Sequence, residues 1–225
     1  RGMRLSLRFR FIVPTITLII IGIGIATAVT YVNSRGTLDE IIGEEKQQIV
    51  NLTLANIASW LKNRKLEIRY WGKQDIFSIV IEGSFHKVAN RELAGLKQDY
   101  EFYENICVAG PTGAVVASSD PDSTAGQNVG DQEFFRQALA GQVFISDIVK
   151  SRNNKPSIII AAPVVRDEVP GGVIFGVLDI GFLTRTYIAG VKIGKTGILF
   201  LMNRDGMVFS HPDPAMVMNA DLSTY

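Results

Sequence analysis

Cysteine, histidine and any surplus of charge are all scarce in this sequence. A single cysteine among 225 residues, Cys107, cannot close an intrachain disulfide, and its apolar setting Ile106-Cys107-Val108-Ala109 reads as a buried, inert thiol. His86 and His211 are the two histidines, and neither has a second histidine or cysteine at ligand spacing, so no metal site is expected. No Gly-x-Ser-x-Gly elbow and no His-Glu-x-x-His pair is present, so no catalytic residue is assigned, no cofactor is expected and the chain is not read as an enzyme. Lys and Arg total 23 against 22 Asp and Glu in a 47% apolar chain, which fits neither a disordered tail nor a basic nucleic-acid module.

Acidic residues are missing from one region altogether. Residues 1 to 35 hold Arg1, Arg4, Arg8, Arg10 and Arg35 and no Asp or Glu, leaving 18 basic against 22 acidic residues for the rest. The net charge of +1 is thus +5 at one end and −4 over the remainder. Inside that basic segment, Phe11 to Val32 runs 22 positions without a charge. At about 1.5 Å per residue this is long enough to cross a hydrocarbon core of roughly 30 Å. A cleaved signal peptide also starts basic and turns apolar, and Ala26-Thr27-Ala28 has the look of a cleavage site. The apolar run continues past it, which favours an uncleaved transmembrane helix over 11–32. The arginines before the span hold 1–10 in the cytoplasm and send everything after Arg35 outside.

Beyond Arg35, Val50, Leu54, Ile57, Leu61 and Ile68 recur at spacings of 4, 3, 4 and 7, the seam of a long stalk helix over 37–71. A less regular helical stretch, Asp75 to Asp99, follows. Then Tyr103 to Ala109 and Ala114 to Ser119 flank Gly110-Pro111-Thr112-Gly113 as a hairpin. Asp131 to Ala140 reads as a short helix capped by Asp131, and Val143 to Ser146, Ser157 to Val165 and Gly172 to Asp179 read as strands. This order predicts an α+β module over 72–188 with a mostly antiparallel sheet and helices on one side. After a helical link, Phe182 to Ala189, a second hairpin around Asn203-Arg204-Asp205-Gly206 opens a second unit over 189–225, and the chain reads as a fragment of a longer protein. Gly190 to Thr196 resembles a phosphate-binding loop, but only three residues separate Gly190 from Gly194 and a strand follows, so it is read as a tight turn.

Between Gly126 and Val177 the order of residues becomes specific. Gly126-Gln127-Asn128-Val129-Gly130-Asp131-Gln132-Glu133-Phe134-Phe135, then Ala138-Leu139-Ala140-Gly141, Ile145-Ser146-Asp147, Ser151, Ala162-Pro163-Val164 and Gly176-Val177 together resemble the extracellular double-Cache sensor domain of bacterial transmembrane receptors, above all methyl-accepting chemotaxis proteins. Gly194-Lys195-Thr196-Gly197, Asp205-Gly206 and His211-Pro212 resemble the start of that family's membrane-proximal module. The resemblance implies a PAS-like distal module on a stalk, in a bacterial inner-membrane protein with its sensor periplasmic or extracellular. It implies binding of a small molecule and signalling across the membrane, with chemotaxis, kinase or diguanylate cyclase output beyond the residues given. It also suits a homodimer through the stalk. A membrane-anchored periplasmic enzyme and a purely structural dimerisation domain are the readings from other classes.

The positions that match the family's pocket wall are Gln132, Phe134, Phe135, Ser146, Asp147, Val149, Ser151, Arg152 and Asp179. Phe134 and Phe135 also suit the core side of a helix, and Asp179 suits a cap on the helix near Phe182. Amino-acid-binding members have an arginine where this chain has Gln132, and a tyrosine and an aspartate where it has Val149 and Ser151. A neutral amide cannot grip a carboxylate as a guanidinium does. An α-amino acid is therefore not favoured, and an organic acid held by Arg152, Lys155 or Arg136, or another metabolite, is the expected ligand.

Overall fold

A computed structural model describes residues 7–194, 197–203 and 205–218, with side chains for 18–30, 46–194, 197–203, 205–213 and 215–218. The chain divides into two compact units, Arg1–Leu52 and Thr53–Tyr225. One helix, α1, runs from Leu7–Trp71, over both the expected span and the expected stalk. In the first unit the side chains from Leu18 to Val29 stand largely exposed, and Thr30 Oγ1 donates back to the Ala26 carbonyl at 2.8 Å. Among the described residues no helix is long and apolar enough to cross a membrane, and the described side chains cover only Leu18 to Thr30 of the span expected over 11–32.

The second unit is built on a five-stranded sheet. Its strands are β1 (Tyr103–Ala109), β2 (Val115–Ser118), β3 (Phe144–Lys150), β4 (Pro156–Arg166) and β5 (Val169–Asp179), in the order β2-β1-β5-β4-β3 with every pairing antiparallel. β4 and β5 are joined by Asp167 and Glu168, both at positive φ (50° and 66°), the two-residue turn that matches strand twist. Helices α2 (Asp75–Ile81), α3 (His86–Asp99), α4 (Pro121–Thr124), α5 (Glu133–Leu139) and α6 (Ile180–Leu183) complete the unit, and α6 continues as a π-helical turn, Thr184–Ile188.

Helices lie on both faces of the sheet, not one, because both sets of alternating side chains are apolar. Ile106, Val108, Ile158, Ile160, Ala162, Val164, Ile174 and Leu178 face Trp60, Ile68 and Trp71 of α1, Phe77 of α2 and Leu93 of α3. Cys107, Ala109, Ala161, Val173 and Phe175 face Phe134, Phe135 and Ala138 of α5. The seam of α1 keeps part of the expected one, with Ile68 buried and Leu61 packed against the core, and departs from it elsewhere. Leu54 is 51% exposed, whereas Thr53, Trp60, Ile68 and Trp71 are buried and Arg64 and Glu67 partly so. The missed anchor is aromatic: the Trp60 ring meets Phe102 edge-on at 5.0 Å and stacks with Phe182 at 6.4 Å. The Arg64 guanidinium lies 4.5 Å from the Phe102 ring centre and 5.1 Å from that of Trp60, and pairs with Glu67.

α1 ends where Gly72 passes against β4. A Cβ there would lie 2.3 Å from the Pro163 carbonyl oxygen, and the Gly72 carbonyl itself accepts from the Val165 amide at 3.0 Å. Asp131 does not cap α5. The Gln132 amide donates to Val129 O at 3.0 Å, which moves the cap position to Gln132 without a side-chain bond. Past α6, β6 (Leu201–Met202) and β7 (Val208–Ser210) form a two-stranded sheet, with Asn203 Oδ1 accepting from the Met207 amide at 2.8 Å. Ile193 and Gly197 form an antiparallel bridge; Lys195 and Thr196 lie outside the described residues, as do residues 219–225 of the expected second unit.

Candidate ligand-binding site

A cavity of about 410 Å³ opens on the α5 face of the sheet. Its floor is Glu104, Asn105 and Cys107 of β1, Ile159 of β4, and Phe175 and Val177 of β5; Val149 to Asn153 form one wall, and residues from Asp120 to Gln132 the cover. A bulge explains why two consecutive residues of β1 share this face. Tyr103 pairs with Leu178 but Asn105 with Val177, so Glu104 is the extra residue. Tyr103 packs on the α1 side while Glu104 and Asn105 both line the cavity.

The cover is tied down by short polar bonds. Gln127 O accepts from the Val115 amide at 3.0 Å and Gly113 O from the Val129 amide at 2.8 Å, while Asn128 Oδ1 accepts from the Gly130 amide at 2.8 Å. Gly113, at φ +85°, lets the hairpin approach closely, since a Cβ there would lie 2.3 Å from the Gly130 nitrogen. Asn105 Oδ1 accepts from the hydroxyls of Ser118 at 3.0 Å and Ser119, and the Ser118 hydroxyl accepts from the Asp120 amide at 3.0 Å. Arg152 Nη1 donates to the Ser123 carbonyl and, at 3.4 Å, to Gln127 Oε1, which straps the wall to the cover.

Burial pushes the Cys107 thiol up to about 11, and the negative charge of Asp120 adds to the effect against the Ser118 hydrogen bond. The thiol is therefore neutral at ordinary pH, which disfavours reaction through it. Two polar atoms in the lining are buried without any hydrogen-bond partner, Glu104 Oε1 and Ser151 Oγ. Both are sealed by surrounding protein atoms, and such an atom costs about 1–3 kcal/mol while unpaired.

A model of the Cache domain matches residues 34–224. The chain belongs to the Cache domain family. No curated protein matches the sequence. Among solved structures, the sensor domain of the Vibrio cholerae histidine kinase DctB superposes with a TM-score of 0.63 at 18% identity, covering 77% of this chain and 68% of that one. The extracellular domain of the putative histidine kinase vpHK1S-Z8 gives 0.64 at 16%, covering 79% and 71%. The ligand-binding domain of the Pseudomonas fluorescens chemoreceptor CtaA, in complex with L-serine, gives 0.54 at 22%, covering 76% and 72%. At these identities the likeness is one of fold.

Within this Cache domain, Gln132, Phe134, Val149, Ser151 and Arg152 come together around the cavity, and the other four expected residues do not. Phe135 is buried in the packing under α5. Ser146 and Asp147 fall in a bulge of β3, where the Ser146 hydroxyl accepts from the Ile159 amide at 2.9 Å, and Asp147 is exposed. Asp179 caps α6, its Oδ1 accepting from the Gly181 amide at 2.7 Å, with Arg185 3.9 Å away. Sequence reasoning missed Glu104, Asn105, Asp120 and Phe175. The polar run Ser118-Ser119-Asp120 at the end of a strand is the available signal for one of them.

Proposed function

We propose that this chain is the periplasmic or extracellular ligand-sensing part of a transmembrane signal-transduction receptor, holding a small molecule in the cavity between the sheet and its cover without altering it. The observation that carries this reading is a cavity of about 410 Å³ with an apolar side, Phe134, Ile159 and Phe175, and polar side chains around it, Glu104, Asn105 and Gln132. The units 72–188 and 189–225 serve as distal module and start of the proximal one. Membrane attachment through 11–32 is supported by the uncharged run and by Leu18, Ile20 and Ile23, each more than 60% exposed. A homodimer through the stalk completes the proposal, with chemotaxis as the output.

Kinase output is the second reading, favoured by TM-scores of 0.63 and 0.64 to histidine-kinase domains against 0.54 to the chemoreceptor domain. For the shared part, a thermal-shift screen of the chain against organic acids, amino acids, amines and purines is the test. A rise in melting temperature with one class, with the compound recovered unchanged, is the expected result. Turnover of the compound points to an enzyme instead. A blank across all four points to a structural dimerisation domain.

A further inference from the structure

The geometry points to a second binding site, for a small oxyanion, in a cavity of about 550 Å³ lined by the tip of the β3–β4 hairpin, α6 with its π-helical turn, and β7. It is separate from the cavity under α5 and stands independently of what that one binds. The hairpin tip divides the two. Arg152 and Asn153 line the first cavity, Asn154 and Lys155 the second, and Lys150 both. Lys155, expected from sequence to hold a ligand in common with Arg152, is thus placed in the other cavity. Its backbone is fixed there, since the Ser151 amide donates to the Lys155 carbonyl at 2.9 Å and Asn154 makes the turn at φ +59°.

The charge balance of the two linings differs. In the first, Glu104 and Asp120 stand against Lys150 and Arg152; in the second, Lys150, Lys155 and Arg185 stand against Asp179 alone. Asp179 is already engaged, because its Oδ1 accepts from the Gly181 amide at 2.7 Å. Arg185 comes no nearer to it than 3.9 Å, beyond hydrogen-bond reach, so the guanidinium keeps its donors for another acceptor. Among the described residues neither lysine takes part in an ion pair. His211 adds a neutral donor: its Nδ1 accepts from the Asp213 amide at 2.9 Å, which leaves the ring proton on Nε2. Arg185 also stands on the π-helical turn Thr184–Ile188, closed by the Ala189 amide on the Thr184 carbonyl at 2.8 Å, and such turns recur at functional sites. Phe209, Val217 and Met218 supply an apolar side for a short carbon body. An oxyanion here replaces repulsion among three cations by charge-assisted hydrogen bonds, and a cation only adds to that repulsion.

Citrate and inorganic phosphate, titrated calorimetrically into the full chain in detergent micelles at low ionic strength, are the probes. At least one is expected to bind; citrate alone assigns the site to carboxylates, phosphate alone to phosphorylated compounds. Lys155→Gln and Arg185→Gln are each expected to weaken binding about tenfold. Both residues are exposed, so both variants are expected to keep the melting temperature of the unaltered protein. Arg152→Gln, which alters the first cavity and not the second, is expected to leave the affinity unchanged. Failure of both anions to bind overturns the site. So does binding that survives both Lys155→Gln and Arg185→Gln, or that Arg152→Gln weakens as much, since the anion then lies elsewhere. None of these results bears on the first cavity, which the four-class screen tests on its own.

Discussion

Replacing Trp60 by alanine is expected to cost the second unit about 4 kcal/mol. Trp60 is 8% exposed, and an indole buries about 150–250 Å², which at about 25 cal/mol per Å² is about 4–6 kcal/mol of transfer free energy as an upper figure. Truncation series for buried tryptophan and phenylalanine independently give about 3–5 kcal/mol. Part of the cost is specific to this site, because the ring also meets Phe102 and Phe182 and carries the Arg64 guanidinium over its face. For a unit of this size each kcal/mol moves the melting temperature by about 2–4 °C, so a drop of about 8–16 °C is expected. Urea unfolding followed by fluorescence is convenient, since the variant leaves Trp71 as the one tryptophan. Leu54→Ala is the control, and at 51% exposure it should change stability by less than about 0.5 kcal/mol. A Trp60→Ala loss below about 1 kcal/mol, or an equal loss for Leu54→Ala, would refute this seam and the docking of Thr53 to Trp71 in the core.

Burial raises the Glu67 carboxyl above its ordinary value, against the pull of Arg64, so the folded state binds this proton more tightly than the unfolded chain. Its contribution to stability is full below the ordinary carboxylate value and is lost as pH rises through the folded one. The stability of Glu67→Gln relative to the unaltered protein should therefore rise as pH climbs out of the ordinary carboxylate range and then level off; a constant difference in urea unfolding across that rise contradicts the assignment. Cys107, buried and titrating at about 11, should react with a thiol reagent at neutral pH only at the rate of opening of the unit. Labelling as fast as a free thiol would show that the cavity floor is open to solvent.

Much of the element order is legible in the sequence, because turn residues and β-branched runs act locally. The hairpin around Gly110-Pro111-Thr112-Gly113 and the end of α1 at Trp71 are examples. What is not legible depends on partners distant in the chain. The periodicity of α1 is read from its aliphatic residues, and it misses Trp60 and Arg64 because their place is set by Phe102 and Phe182. The second helical face of the sheet is missed because an apolar run of strand looks the same whether one side or both are covered. At the cavity, five of the expected residues come from the motif around the short helix and the wall after β3. Glu104 could not be found that way. Counted back from Ile106, strict alternation puts Glu104 on the α1 side of the sheet, and it is the bulge between Tyr103 and Asn105 that turns it to the cavity.

That bulge has a mechanical side. Tyr103 touches Trp71 of α1, with ring centres 5.6 Å apart, and the next residue, Glu104, looks into the cavity. One peptide plane, about 3.8 Å from Cα to Cα, is therefore the whole covalent distance between the wall of the cavity and the helix behind the sheet. Glu104 is the residue that the pairing of β1 with β5 leaves out. A sheet is usually a partition between its two faces; at this one position it is a pivot, with a carboxylate on one arm and an aromatic ring on the other.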